Sequence, residues 1–186
     1  MIDPTKITDY ARGRVALETF WMFCILVAGK NSDNTAKVVA RLFKGQSPFD
    51  MIRENQHCLR NTLVANKTGQ YHRYERAMIE SLGLNLSLAS VEELEAVYGV
   101  GPKTSRFFLL HSREGAEHVV LDTHVLKWLK SQGMEVGVST PTCKKKYREI
   151  ERVAIPIIKA AFPGLSLAKA DLLIWSKVSG RLKNSD

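Results

Sequence analysis

Apart from one stretch of four residues, 118–121, the apolar side chains of this chain recur at three- and four-residue spacing from end to end. That period lines one stripe of a helix and cannot line one face of a strand. The chain is therefore expected to be all-α, with the short run 118–121 as its only extended segment. At 186 residues it is long enough to bury a good core as one domain or as two small lobes.

Proline, glycine and capping residues punctuate the helices. A first helix is expected over residues 7–28, a second over 34–43 ended by Gly45, and a third opening at Ser47-Pro48, where serine caps and proline fits the first turn. Residues 57–66 give a weaker signal, and 70–81 reads as a helix ended by Gly83. Ser90 followed by Glu93 forms a capping box for a helix over 91–97. The turn Tyr98-Gly99-Val100-Gly101 follows, and Pro102 opens a helix running to about 111. Asp122 stands at the N-cap of a helix over 123–131, and two long helices, 141–161 and 166–179, complete the chain.

Lysine and arginine exceed aspartate and glutamate, 27 against 19, for a net charge of +8. Such a surface favours a polyanion such as nucleic acid. Cys24, Cys58 and Cys143 lie far apart and form no CxxC pair, so neither a disulfide framework nor a thiolate metal site is indicated. The apolar run 20–28 is too short to span a bilayer, and no signal-peptide pattern precedes it. A soluble, intracellular monomer with no membrane association is expected.

The turn between the two central helices carries the chemistry. Two helices joined by Gly-Val-Gly leave backbone N–H groups of the second helix facing outward, and glycine lets a phosphate approach them. Gly99, Gly101 and Thr104 are the candidate phosphate-binding residues. A grip on the backbone holds DNA without reading its sequence. A nucleotide-binding P-loop is excluded, because its lysine must directly follow a glycine and Pro102 precedes Lys103. A plain αα-hairpin with a glycine turn is the alternative reading of the same residues.

Residues 97–105, Val-Tyr-Gly-Val-Gly-Pro-Lys-Thr-Ser, followed by 120–125, Val-Leu-Asp-Thr-His-Val, closely resemble the signature of the helix-hairpin-helix DNA glycosylases, the endonuclease III-like superfamily. That resemblance implies the superfamily's fold, two helical lobes with a cleft between them. Lobe A would span about 30–130 and contain the hairpin 91–111; lobe B would be formed by about 1–29 and 131–186. In this superfamily a lysine at the position of Lys103 marks enzymes that form a Schiff base, so a bifunctional glycosylase and AP lyase is implied. Tyr98 departs from the pattern, which often has proline there. The resemblance also implies a structural cation on the main-chain carbonyls of Glu95, Val97 and Val100, and no catalytic metal.

The chemistry suits the two implied residues. Breaking a glycosidic bond builds positive charge on the sugar, which a carboxylate at Asp122 stabilises. Its N-cap position is expected to favour ionisation. Lys103 must be neutral to attack, and the positive end of its helix disfavours the ammonium form. The target base has to leave the duplex, so a side chain must fill the gap. Lys30 and Asn31, in the loop after the first helix, are the wedge candidates, with plain helix capping by residues 31–33 as the alternative.

No cysteine follows Cys143, so the four-cysteine iron–sulfur motif of the main pyrimidine-repair branch is absent and no cofactor is expected. Residues 20–26, 144–151 and 171–183 are similar to the short archaeal and bacterial 8-oxoguanine DNA glycosylases. The resemblance points to double-stranded DNA containing an oxidised base as partner, and to 8-oxoguanine as substrate. Trp175 is the candidate for stacking on the flipped base, although its spacing with Leu172 and Val178 reads more readily as core. In those enzymes a terminal lysine carboxylate helps recognise the base, whereas here Asn184, Ser185 and Asp186 follow Lys183. An oxidised-pyrimidine glycosylase and a non-catalytic DNA-binding module are the competing readings.

Overall fold

A computed structural model describes residues 2–180, and these form ten α-helices with no β-strand. They are α1 (Arg14–Val27), α2 (Ser32–Phe43), α3 (Pro48–Asn55), α4 (Leu59–Ala65), α5 (Tyr71–Glu80), α6 (Val91–Ala96), α7 (Pro102–Ser112), α8 (Thr123–Ser131), α9 (Lys144–Ala161) and α10 (Leu167–Val178). The last part of the segment 171–183 lies outside the described residues, as does the terminal carboxylate.

The chain divides into two compact, contiguous units, residues 1–100 and 101–186. In the first, α1 packs on α2, α3 and α5. Its residues from Phe20 to Leu26 are all at most 3% exposed. A helix that is apolar on every side has to be surrounded, and burial of each large side chain contributes about 1.5–3 kcal/mol. Trp21 meets its one polar need through Nε1, which donates to Ser81 Oγ at 2.8 Å.

In the second unit, α7, α8, α9 and α10 enclose a core that includes Leu110, Val120, Leu126, Trp128, Tyr147, Ala154, Ile158 and Ile174. Residues 119–121 pass through this core without pairing as a strand.

Several helix starts differ from expectation. The first helix begins at Arg14 rather than near residue 7, because Asp9 accepts the N–H of Ala11 in a local turn and Gly13 takes the N-cap. The second starts at Ser32, since Asn31 caps it by accepting the N–H of Asn34 at 3.0 Å. The weakly signalled stretch contains α4, and α9 starts at Lys144 and runs through Pro156.

Candidate active site

The hairpin turn closes as a β-turn, with the N–H of Val100 donating to the carbonyl of Val97 at 3.0 Å. Gly99 occupies its third position at φ +72°, a left-handed conformation that glycine adopts freely. The capping box is present on α6, with Glu93 N–H donating to Ser90 Oγ at 3.2 Å and Ser90 N–H to Glu93 Oε2 at 2.7 Å.

Helix α5 braces the turn from within the same unit. Tyr98 N–H donates to Glu80 Oε2 at 2.6 Å, and Arg73 Nη2 donates to the Gly99 carbonyl at 2.6 Å. Arg76 pairs with Glu80 and lies 4.1 Å from the centre of the Tyr98 ring. The Tyr98 N–H holds Glu80 below the usual carboxylate range, with help from Arg76. A proline at position 98 would have no N–H to offer Glu80.

Beyond the turn, Gly101 is extended, as a residue before proline prefers, and caps α7. The N–H groups of Thr104 and Ser105 both point to the Gly101 carbonyl, at 3.0 and 3.2 Å. Thr104 is buried, with its N–H already engaged. Among the described residues, no partner is found for the N–H of Gly101 or Lys103, and Pro102 has none to satisfy. These two are the donors left at the helix start.

Lys103 follows Pro102 in the first turn of α7 and is half-buried. Asp122 caps α8 as expected, its Oδ1 accepting the N–H groups of His124 at 2.9 Å and Val125 at 2.8 Å. Its ionisation runs against expectation. Burial is the largest influence and raises its pKa above 3.8, and the carboxylate of Asp171 pushes the same way. The Val125 N–H and the charges of Lys103 and His124 act in the opposite direction without reversing it. The capping bonds and helix end alone do not keep this carboxyl acidic, because it is partly withdrawn from water and feels the charge of another acid.

Asp171 is a site residue that the sequence reading missed. Its Oδ2 lies 3.2 Å from Nε2 of His111, which is wholly buried. The only sequence signal is an acid in the first half of α10, where Lys169 is the one other charged residue. Tyr147 and Glu151 were also unassigned, and both contact the segment leading into Asp122.

Trp175 is half-buried, and Ile174 takes the core position beside it. The Trp175 ring meets the His124 ring edge-on, centroids 6.3 Å apart. Phe108 and Trp128 are core, whereas Phe107 is half-buried against His111. Asn31 is the N-cap of α2. The Lys30 ammonium donates to the Thr68 carbonyl and lies 4.4 Å from the centre of the Tyr74 ring.

Among the described residues, no group of three or more His, Cys, Asp or Glu side chains could hold a metal ion. Cys24 is buried, Cys58 half-buried and Cys143 exposed. No described helix is long and apolar enough to cross a membrane.

No family model matches the chain. It is 25% identical over 177 residues to the 8-oxoguanine DNA glycosylase/AP lyase of Thermotoga sp. strain RQ2, covering 86% of this chain and 78% of that protein. The same identity and coverage hold for the protein of that name from Thermotoga maritima. In three dimensions, the 8-oxoguanine DNA glycosylase of T. maritima superposes with a TM-score of 0.71 at 24% identity, over 90% of this chain and 81% of that one. The Methanocaldococcus jannaschii 8-oxoguanine glycosylase/lyase, in complex with DNA containing 8-oxoguanine, gives 0.68 at 17% identity, over 94% and 86%. The fold is that of these helical glycosylases.

Proposed function

We propose that this chain, a member of the helix-hairpin-helix DNA glycosylase superfamily, excises 8-oxoguanine from double-stranded DNA and nicks the strand at the resulting site. The observation that carries this reading is a lysine in the first turn of α7, directly after the glycine turn, within electrostatic reach of a half-buried aspartate at the cap of α8. The names of the relatives supply the lesion.

In this mechanism the neutral Lys103 amine adds to C1′ of the damaged nucleotide. The C1′–N9 bond breaks, and its electron pair leaves with the base, which takes up a proton. Nζ gives up a proton, the C1′–O4′ bond breaks with its electron pair going to O4′, which is protonated, and the nitrogen lone pair forms the C1′=Nζ iminium of the opened sugar. Asp122, ionised, stabilises the positive charge that builds on the sugar. The iminium acidifies a C2′ proton, and its removal expels the 3′ phosphate by β-elimination. These steps require no cofactor.

Gly99 and Gly101 let the phosphate backbone approach the hairpin, where the N–H groups of Gly101 and Lys103 are the available donors. Thr104, with its N–H turned inward, supports the turn. Trp175 stacks on the flipped base with His124 against its edge. Lys30 or Asn31 fills the gap in the duplex, Asn31 after giving up its cap. A cation on the carbonyls of Glu95, Val97 and Val100 is structural, and these hard oxygen donors suit a hard ion.

The test is borohydride trapping on duplexes containing 8-oxoguanine or thymine glycol. A trapped adduct on 8-oxoguanine that Lys103→Gln abolishes is expected. Trapping on thymine glycol alone would transfer the activity to oxidised pyrimidines. Trapping on neither would leave the hairpin as a DNA clamp.

A further inference from the structure

Resting on the reading of Lys103 and Asp122 as the reacting pair, we propose that Tyr147 and Glu151 of α9 are positioning residues. They lock the backbone segment that carries Asp122 to the helix that carries Lys103.

Residues 119–121 are in neither helix nor strand, yet they are at most 3% exposed. Buried backbone groups outside regular structure need partners from elsewhere. The Leu121 carbonyl accepts from Thr140 Oγ1 at 2.8 Å and the Val120 carbonyl from the Asp122 N–H at 2.7 Å, and helix α9 supplies three more partners. The Tyr147 hydroxyl accepts the Leu121 N–H at 2.9 Å and donates to the Val119 carbonyl at 2.9 Å. Glu151 Oε1 accepts the Val119 N–H at 3.0 Å. The next residue after this clamp is Asp122 itself.

The same two side chains reach α7. Glu151 Oε2 accepts from Arg106 Nε at 3.3 Å, and the Arg106 guanidinium lies 5.1 Å from the centre of the Tyr147 ring. Arg106 is one helical turn beyond Lys103 and donates through Nη1 to Ser105 Oγ at 3.1 Å. Tyr147, Glu151 and Arg106 are all buried, at 0%, 8% and 4% exposure. One turn of α9 therefore grips both the approach to Asp122 and the helix of Lys103.

A buried ion pair adds little net stability over apolar packing, so its presence asks for another reason. Apart from the 3.5 Å pairing of Glu151 with the His118 side chain, each contact ends on the backbone of the segment before Asp122 or on the helix of Lys103. Together they fix the distance and direction from one reacting group to the other. A carboxylate that stabilises developing charge acts only from a held position, because misplacement by about 1 Å costs up to about a hundredfold in rate.

Tyr147→Phe removes only the hydroxyl and keeps the ring against Arg106. Excision at saturating 8-oxoguanine duplex is expected to slow by about tenfold to a hundredfold, with binding of an uncleavable duplex within about twofold of the wild type. In the Asp122→Asn background the same change is expected to slow excision by less than about twofold, since a residue acting through Asp122 has nothing left to position. An equal slowing in both backgrounds would overturn the proposal, since a merely structural loss acts regardless of Asp122.

Amide hydrogen exchange gives a readout without activity. The Leu121 amide is expected to exchange at least about tenfold faster in Tyr147→Phe, with α10 unchanged. Unchanged protection at Leu121 overturns the proposal whether or not the duplex is cut. A wild-type protein that forms no trapped adduct, by contrast, counts against the glycosylase reading and leaves the exchange measurement to decide the clamp.

Discussion

The two glycines of the hairpin are expected to respond to alanine in opposite ways. Gly99 lies at φ +72°, where an added Cβ would stand 2.7 Å from Nε and 2.9 Å from Cγ of Arg73. Holding an L side chain in the left-handed region costs about 1–2 kcal/mol. Arg73 is flexible and swings aside, but in doing so gives up its 2.6 Å bond to the Gly99 carbonyl. At an exposed site that bond contributes about 0.5–1 kcal/mol. The sum is about 2 kcal/mol, and at about 2–4 °C per kcal/mol for a chain of this length, Gly99→Ala is expected to melt about 4–8 °C below the wild type. Gly101 is extended at φ −107°, ψ 177°, and a Cβ there meets no atom within 4 Å. Gly101→Ala is therefore expected to melt within about 1 °C of the wild type. Its methyl group would stand instead where a phosphate approaches the free N–H groups. Loss of one charge-assisted contact, about 1.5 kcal/mol, weakens duplex binding about tenfold. Thermal melting by circular dichroism and fluorescence anisotropy on an uncleavable duplex at one salt concentration measure both effects. Equal melting temperatures for the two variants would refute the strain assigned to Gly99. Undiminished binding by Gly101→Ala would refute the phosphate grip.

The remaining predictions concern the second unit. Excision requires ionised Asp122, whose pKa is raised by burial and by Asp171, so the single-turnover rate is expected to fall with decreasing pH along a limb above 3.8. Asp171→Asn removes the neighbouring charge and should move that limb to lower pH; an unmoved limb in the pH–rate profile would sink the electrostatic role of Asp171. Because the folded state holds the Asp122 proton above the pH at which the unfolded chain loses it, stability is lost as pH rises through this window. Asp122→Asn is accordingly expected to melt no lower than the wild type at neutral pH while excising far more slowly, and a lower melting temperature would count against this. Burial pushes the Glu151 carboxyl up, but His118, the Val119 N–H and Arg106 together hold it below its ordinary 4.5. Its contribution to stability is complete above 4.5 and lost as pH falls through the depressed folded value. Glu151→Ala, which breaks a buried pair, is expected to cost about 3–5 kcal/mol. Glu151→Gln should cost less and flatten the acid side of the melting profile, and an unchanged pH dependence would show that Glu151 does not carry it.

Helix content, the capping box at Ser90 and Glu93, the N-cap role of Asp122 and the hairpin turn were all legible in the chain. Each depends on residues within four positions of one another, where local propensity and capping chemistry act directly. The start of the first helix was less legible, because Asp9 offers the backbone a competing turn and Gly13 weakens the helix before Arg14. Trp175 shows the same limit from another side. Its apolar neighbours at helical spacing suggested core, yet the buried stripe of α10 runs through Leu167, Ala170 and Ile174 and leaves the indole half-buried beside His124.

What the sequence determined by itself is a basic, all-helical chain with a glycine hairpin, a lysine at the next helix start and an aspartate capping a later helix. Only the tertiary structure decided the environment of that aspartate. Asp171 acts on Asp122 from 49 residues further along the chain, and Tyr147 and Glu151 clamp the approach to it from 25 and 29 residues beyond. Burial and the field of neighbouring charges are properties of packed space. They reversed the expected direction of the Asp122 pKa even though its capping bonds formed as its local sequence required.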